Sequence, residues 1–202
     1  MKPAPVDPAT LPVANDKIVN IPNSLTALRL FAVPVLIWLL AIDTRDARAW
    51  ATAVFLVAAF TDLMDGAIAR KRGQITSFGK LADPIADKAL IGAALIGLSL
   101  LNDLAWWITA VILVRELGVT FLRMWVIKHG VIPASRGGKA KTLAQVIAIS
   151  LYLYVPQDLD WWNNLAEVVM AIAVILTVIT GFDYVLRAVK LRRTSMEIQG
   201  VE

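Results

Sequence analysis

Apolar residues along the chain fall into six long blocks that are separated by short polar segments. A helix needs about 20 mostly apolar residues to cross a bilayer, and the blocks approach or reach that length. The pattern predicts six membrane-spanning helices, close to residues 25–42, 47–70, 84–101, 104–127, 141–155 and 164–189. The predicted fold class is therefore all-α integral membrane, with six transmembrane helices in one bundle.

The chain before the first block has two parts. Residues 1–19 contain four prolines and no apolar run typical of a signal peptide, so we expect a disordered cytoplasmic tail. Pro22 and Asn23 then mark a break, and Asn23 and Ser24 are both suitable N-caps, which predicts a short N-terminal interfacial helix. We expect the membrane domain over residues 20–190 and a cytoplasmic C-terminal tail over 191–202.

Charged residues lie mainly between the apolar blocks. The net charge is +4, and the loops on the side opposite the termini hold only Arg45 and Arg48 as basic residues. This asymmetry predicts that both termini are cytoplasmic, and it suits anionic lipid better than nucleic acid. An aromatic belt is expected at the opposite interface, formed by Trp50, Trp106, Trp107, Trp161 and Trp162.

The segment around the junction of the second and third blocks is unusually acidic for its position. Asp62 and Asp65 are three residues apart, and Asp83 and Asp87 are four apart. On helices, each pair shares a face, and a hairpin would bring the two faces together. Four carboxylates at this depth are costly, so they indicate a site more than ordinary loop charge.

Carboxylates this close need a compensating positive charge. Oxygen ligands favour Mg²⁺ or Mn²⁺, and the chain has no cysteine and only one histidine to favour zinc. Two such metals would clamp a phosphoryl group between them. The nearby Gly66 and Ala69 either leave room for a flat group or simply let helices pack closely.

The fourth block contains Arg115, Glu116, Thr120 and Arg123 within an apolar run. The last three have the spacing of one stripe along a helix. A buried arginine needs a partner, which is either Glu116, the aspartate cluster or an anionic ligand. Arg123 suits a phosphate because a guanidinium can bind two oxygens at once.

The fifth block opens with Arg136-Gly-Gly-Lys139-Ala-Lys141. It does not follow the pattern of a Walker A motif, because Pro133 stands at the first glycine position and Ala140 follows the lysine. Glycines, two lysines and a helix N-terminus favour an anion, although positive-inside charge explains part of the same pattern.

The acidic segment reads D-x-x-D-G-x-x-A-R, eight residues, then G-x-x-x-D-x-x-x-D. This resembles the signature of the CDP-alcohol phosphotransferase family at every fixed position: Asp62, Asp65, Gly66, Ala69, Arg70, Gly79, Asp83 and Asp87. Residues 20–29, 115–123 and 138–145 are similar to the bacterial phosphatidylglycerophosphate synthases of that family. The resemblance covers about residues 20–190.

The resemblance implies a six-helix bundle, usually a homodimer, that uses two divalent ions, Mg²⁺ or Mn²⁺. It implies that Asp62, Asp65 and Asp83 bind metal and that Asp87 is the general base, with direct ligation by all four aspartates also open. It places cytidine diphosphate beside Asp62, Asp65, Gly66, Ala69, Arg70 and Gly79.

The resemblance further implies transfer of a phosphatidyl group from CDP-diacylglycerol to glycerol 3-phosphate, with release of CMP, in phospholipid biosynthesis. The expected location is the bacterial plasma membrane, with the active site facing the cytoplasm. The acceptor phosphate needs cations away from the metals. Our hypothesis for that pocket is Arg115, Arg123, Lys139 and Lys141.

Three alternatives remain at this level. A cardiolipin synthase of the same family would use phosphatidylglycerol as the acceptor, and another member would use an inositol phosphate. Outside the family, intramembrane carboxylates also occur in divalent cation transporters. The sequence shows no related halves of the kind that many transporters have.

Overall fold

The computed structural model describes residues 21–72, 77–126, 136–154, 156 and 159–199. Within these residues the chain forms six α-helices and no strands, which confirms the predicted all-α class. Each predicted span falls on one helix. The helices are α1 (Ile21–Ile42), α2 (Arg45–Arg72), α3 (Ser77–Leu100), α4 (Trp106–Val126), α5 (Arg136–Leu153) and α6 (Asp160–Gln199).

Consecutive helices run in opposite directions, so the bundle has two distinct ends. Leu40 near the end of α1 packs against Gly97 near the end of α3, which makes these two helices parallel. Likewise, Trp162 at the start of α6 donates from Nε1 to the Leu151 and Tyr154 carbonyls at the end of α5. We call the end with residues 43–44, 101–105 and 154 the turn end. The opposite end, where α2 finishes and α3 begins, is the signature end.

Two of the helices that finish at the turn end, α1 and α3, are followed by residues with left-handed backbone. Asp43 has φ 50° and Asn102 has φ 61°, a conformation that Asp and Asn tolerate better than most residues. After α3, the Asp103 N–H donates to the Leu98 carbonyl at 3.0 Å, which satisfies an acceptor that the helix leaves open.

One buried arginine joins two turns at this end. Arg48 Nε lies 2.7 Å from an Asp43 carboxylate oxygen, and its Nη1 lies 2.6 Å from Asp103 Oδ2. Asp43 precedes α2 and Asp103 precedes α4. The ion pairs therefore tie the α1–α2 turn to the α3–α4 turn.

The core is apolar and rich in small residues. Leu36, Phe55, Leu95 and Ile149 are fully buried side chains contributed by α1, α2, α3 and α5. Further buried alanines lie where helices meet, and small side chains allow helix backbones to approach closely. They are Ala51, Ala94, Ala148 and Ala173.

The outer surface is also apolar. Phe31, Val114 and Phe182 are 68%, 71% and 69% exposed, and many other large apolar side chains are exposed as well. Among the described helices, one segment, Trp161–Arg192 of α6, is long and apolar enough to cross a membrane by length and composition. Thr26–Ile42 and Lys88–Leu100 are shorter apolar stretches. Length and composition thus single out one of the six predicted spans.

The observed helices extend beyond the predicted spans, and one prediction is wrong. The segment from Ile21 is part of α1, so the short N-terminal interfacial helix is not a separate element. Pro22 is compatible with this because N–H groups in the first turn of a helix have no acceptor within the helix. The N–H that proline lacks is therefore not needed there. Similarly, α6 continues past Val189 to Gln199, because the residues there are good helix formers although they are polar.

Candidate active site

The four signature aspartates lie on two helices that contact each other. Asp62 and Asp65 are on α2, and Asp83 and Asp87 are on α3. This confirms the helical spacing that puts each pair on one face. The convergence of the four carboxylates lies outside what the structure describes. Among the side chains that it does describe, no group of three or more His, Asp or Glu residues could hold a metal ion.

The positions predicted to border cytidine diphosphate are on the same two helices. Gly66, Ala69 and Arg70 belong to the last turns of α2, and Gly79 belongs to the first turn of α3. Their surroundings lie outside the described side chains. All eight fixed positions of the signature therefore flank the α2–α3 junction.

Glu116 of α4 links two of the four predicted acceptor-site cations. Its Oε1 accepts a hydrogen bond from Arg115 Nη1 at 3.3 Å and a short one from Lys141 Nζ of α5. The Lys141 side chain is only 5% exposed. Of the three partners that the sequence left open for a buried arginine, Arg115 contacts Glu116, and Lys141 shares the same carboxylate.

Arg115 is also held by α6. Its Nη2 donates to Thr180 Oγ1 at 2.9 Å, and Thr180 in turn donates to the Leu176 carbonyl. A Cβ at Gly181 would lie 3.1 Å from Arg115 Cγ, so the glycine allows the arginine to pass close to the α6 backbone. Arg115 therefore bridges α4 and α6.

A second polar contact lies one turn further along α5. Gln145 is fully buried, and its Nε2 donates to Thr177 Oγ1 of α6 at 2.9 Å. Together with Arg115, Glu116, Lys141 and Thr180, these residues form a polar layer between α4, α5 and α6. The layer carries two positive charges and one negative charge, which leaves it net positive.

The other two predicted acceptor-site cations are exposed. Arg123 donates from Nε to Tyr184 Oη of α6 at 3.3 Å, and its guanidinium carbon lies 5.9 Å from the centre of the Tyr184 ring. Lys139 is exposed on the first turns of α5. The structure therefore divides the predicted set into a partly buried Arg115 and a buried Lys141, both held by Glu116, and an exposed pair nearer the signature end.

Sequence reasoning did not include Thr177, Thr180, Gly181 or Tyr184 in the site. Each lies inside the sixth apolar block, where threonine, glycine and tyrosine carry no distinct signal. Thr177 and Thr180 are three residues apart, and that spacing is the one feature that could have indicated a polar face on α6.

Comparison with known proteins identifies the family of the chain. The sequence profile of CDP-alcohol phosphatidyltransferases matches residues 19–179. A protein named "Probable phosphatidylglycerophosphate synthase" from Mycobacterium tuberculosis is 54% identical over 179 residues, which are 86% of this chain and 84% of the relative.

Two more distant relatives carry the name "CDP-diacylglycerol--glycerol-3-phosphate 3-phosphatidyltransferase". The one from Rickettsia bellii is 38% identical over 168 residues, with 82% of this chain and 93% of the relative covered. The one from Bacillus subtilis is 37% identical over 180 residues, with the same coverage of 82% and 93%. The chain belongs to the CDP-alcohol phosphatidyltransferase family and is an enzyme of that class.

Proposed function

We propose that this enzyme transfers the phosphatidyl group of CDP-diacylglycerol to glycerol 3-phosphate, releases CMP and so makes phosphatidylglycerol phosphate for phospholipid biosynthesis. The main observation behind the proposal is the combination of a complete family signature on α2 and α3 with cations on α4 and α5. The names of the relatives favour glycerol 3-phosphate over phosphatidylglycerol or an inositol phosphate as the acceptor. Family membership also favours group transfer over cation transport.

Two divalent ions, Mg²⁺ or Mn²⁺, would be held by Asp62, Asp65, Asp83 and Asp87. The donor set fits such ions, because it offers only carboxylate oxygens on two helices that contact each other. When bound, the ions would neutralise charge on the diphosphate and on the departing CMP.

The remaining chemistry belongs to the protein. Asp87 accepts the proton of the free primary hydroxyl of glycerol 3-phosphate while that oxygen attacks the phosphorus next to diacylglycerol. A new oxygen–phosphorus bond forms, and the bond from that phosphorus to CMP breaks. Gly66, Ala69, Arg70 and Gly79 border the cytidine diphosphate.

The acceptor phosphate is bound by cations that are separate from the aspartates. Arg115, Arg123, Lys139 and Lys141 form this site, and the buried polar layer contributes its net positive charge. Binding at one end of the acceptor positions the hydroxyl at its other end, and such positioning accounts for much of the catalysis in transfer reactions.

We further propose that six helices span the bacterial plasma membrane, that the enzyme is a homodimer, and that the signature end faces the cytoplasm. The exposed apolar side chains around the bundle support an environment of lipid, since a soluble protein rarely exposes so much apolar surface. The predominance of Lys and Arg near the signature end supports the cytoplasmic orientation.

The proposal is tested with purified protein, CDP-diacylglycerol and Mg²⁺, by following CMP release with each acceptor in turn. We expect release with glycerol 3-phosphate and loss of release in EDTA. The Asp87→Asn variant should be slower by about 10²- to 10⁴-fold, the range that a general base supplies. Asp183→Asn is the matched control, because Asp183 lies on α6 and pairs with Arg187.

Release with phosphatidylglycerol or inositol phosphate alone would keep the family and contradict the proposed acceptor. A folded Asp87→Asn protein with unchanged activity would contradict the assignment of the base.

A further inference from the structure

Among the described residues, one carboxylate, that of Glu116, pairs with both Arg115 and Lys141 between α4, α5 and α6. The side chains of Arg115 and Glu116 are each 16% exposed, and that of Lys141 is 5% exposed. A buried ammonium is costly unless an anion pairs with it. Glu116 therefore stabilises Lys141 in its buried position.

Arg115 is held by contacts on α6 as well as by Glu116. Arg115 has a second anchor, because its Nη2 bonds to Thr180 and its side chain passes Gly181. A lysine is a point charge on a stem with several rotatable bonds, so its head group is placed by what it contacts. Lys141 reaches from α5 to Glu116 on α4, 25 residues away in the sequence.

The position of this contact relates it to the acceptor site. Glu116 and Arg123 are seven residues apart on α4 and lie on the same stripe of that helix. Lys141 is two residues after the exposed Lys139 on α5, so the two lysines point to different sides of the helix. The Glu116–Lys141 contact thus links the Lys141 side chain of α5 to the stripe of α4 that continues to Arg123.

We infer that Glu116 is a positioning residue of the acceptor site, which holds the Lys141 ammonium between α4 and α5 and thereby determines how Lys141 meets the acceptor phosphate. The inference rests on the proposed function, because it takes Lys141 as one of the cations that bind glycerol 3-phosphate. Glu116 acts through Lys141 and does not itself contact the acceptor.

The test is a double-mutant cycle on the full-length enzyme, with Glu116→Gln, Lys141→Gln and the double variant. Glu116→Gln should raise the KM for glycerol 3-phosphate about tenfold, a change within the usual range of coupling between contacting residues. Its KM for CDP-diacylglycerol and its kcat should change much less. In the Lys141→Gln background, the added Glu116→Gln change should alter the KM for glycerol 3-phosphate by less than about twofold.

Thr120→Ala is the matched control on the same stripe of α4. The Thr120 hydroxyl donates to the Glu116 backbone carbonyl and does not contact the Glu116 carboxylate. The KM of the Thr120→Ala variant for glycerol 3-phosphate should therefore match that of the wild type. An unchanged or lower KM in Glu116→Gln, or equal effects of that change in both backgrounds, would overturn the inference. A purely structural role would instead change kcat and both KM values together.

A substitute variant and the activity of the wild type distinguish the remaining outcomes. If Glu116→Gln does not fold, the cycle is measured with Glu116→Asp, which keeps the charge and shortens the side chain, and the same dependence on Lys141 is expected. Wild-type enzyme that releases no CMP with glycerol 3-phosphate would contradict the proposed function. Active wild type with an additive cycle would contradict only the role of Glu116.

Discussion

Arg123 is an exposed cation of the proposed acceptor site, whereas Arg115 and Lys141 are engaged with Glu116. Its contacts with Tyr184 orient the guanidinium without neutralising it, because a tyrosine hydroxyl and ring carry no net charge. A free guanidinium can bind two oxygens of one phosphate. Arg123 is therefore the single residue at which loss of a cation should most directly weaken acceptor binding.

We expect Arg123→Ala to raise the KM for glycerol 3-phosphate at least about tenfold, which corresponds to loss of roughly one charge-assisted hydrogen bond. The KM for CDP-diacylglycerol should stay near the wild-type value. The measurement is CMP release at varied acceptor concentration. Arg187→Ala is the matched control, because Arg187 is an exposed arginine that pairs with Asp183. Equal KM values for both variants and the wild type would exclude Arg123 from the acceptor site.

Individual site residues differed in how far the sequence could predict them. The Arg115–Glu116 pair was one of three alternatives that the sequence left open, because a charge in an apolar run needs a partner but the sequence does not say which. The contact of Lys141 with Glu116 was not predictable, because it requires knowing that the helix arrangement brings the Lys141 side chain of α5 to Glu116 of α4. Tyr184 and Thr180 were not predictable either, since nothing in an apolar block identifies which polar side chain meets an arginine.

At the scale of helices, two glycines in the bundle have opposite surroundings. A Cβ at Gly97 of α3 would lie 2.6 Å from Leu40 Cδ1 of α1, and Leu40 is a buried side chain. A Cβ at Gly118 of α4 would meet no atom within 4 Å. Gly97 thus allows α1 and α3 to approach each other, whereas nothing in the structure explains Gly118 by packing.

This contrast predicts opposite effects of the same substitution. Gly97→Ala should lower the free energy of unfolding by about 1–3 kcal/mol, because an added methyl group overpacks the α1–α3 contact. Gly118→Ala should leave it unchanged or raise it by up to about 1 kcal/mol through better helix propensity. Thermal unfolding of the detergent-purified proteins measures both. A Gly97→Ala protein as stable as Gly118→Ala would show that Leu40 moves aside without loss.

The helices themselves were largely predictable, and their ends were not. Apolar blocks locate the apolar part of each helix, but a helix continues wherever its backbone hydrogen bonds continue. That is why α1 includes Pro22 in its first turn and α6 extends to Gln199. The prediction of a separate interfacial helix was wrong for the same reason. In a sequence, a proline near the start of a helix resembles a break between two elements.

At the scale of the whole molecule, the two ends of the bundle differ in chemistry. The turn end holds the Arg48 ion pairs and four exposed tryptophans, namely Trp50, Trp106, Trp107 and Trp161. The segments at the signature end are rich in lysine and arginine. Tryptophans favour the membrane interface, and basic segments stay in the cytoplasm. These differences support the proposed orientation, with the signature end towards the cytoplasm, and the prediction can be made from sequence because charge placement needs no tertiary contacts.

The orientation is testable because the chain contains no cysteine, so a single introduced cysteine is unique. Ala105 is exposed between α3 and α4 at the turn end, and Lys190 is exposed near the end of α6. In intact cells, a membrane-impermeant maleimide should label Ala105→Cys and leave Lys190→Cys unlabelled. Both should be labelled after the cells are permeabilised, which controls for reactivity. Labelling of Lys190→Cys in intact cells would invert the orientation and would put the signature aspartates on the side opposite the cytoplasmic nucleotide and glycerol 3-phosphate pools that the proposed reaction requires.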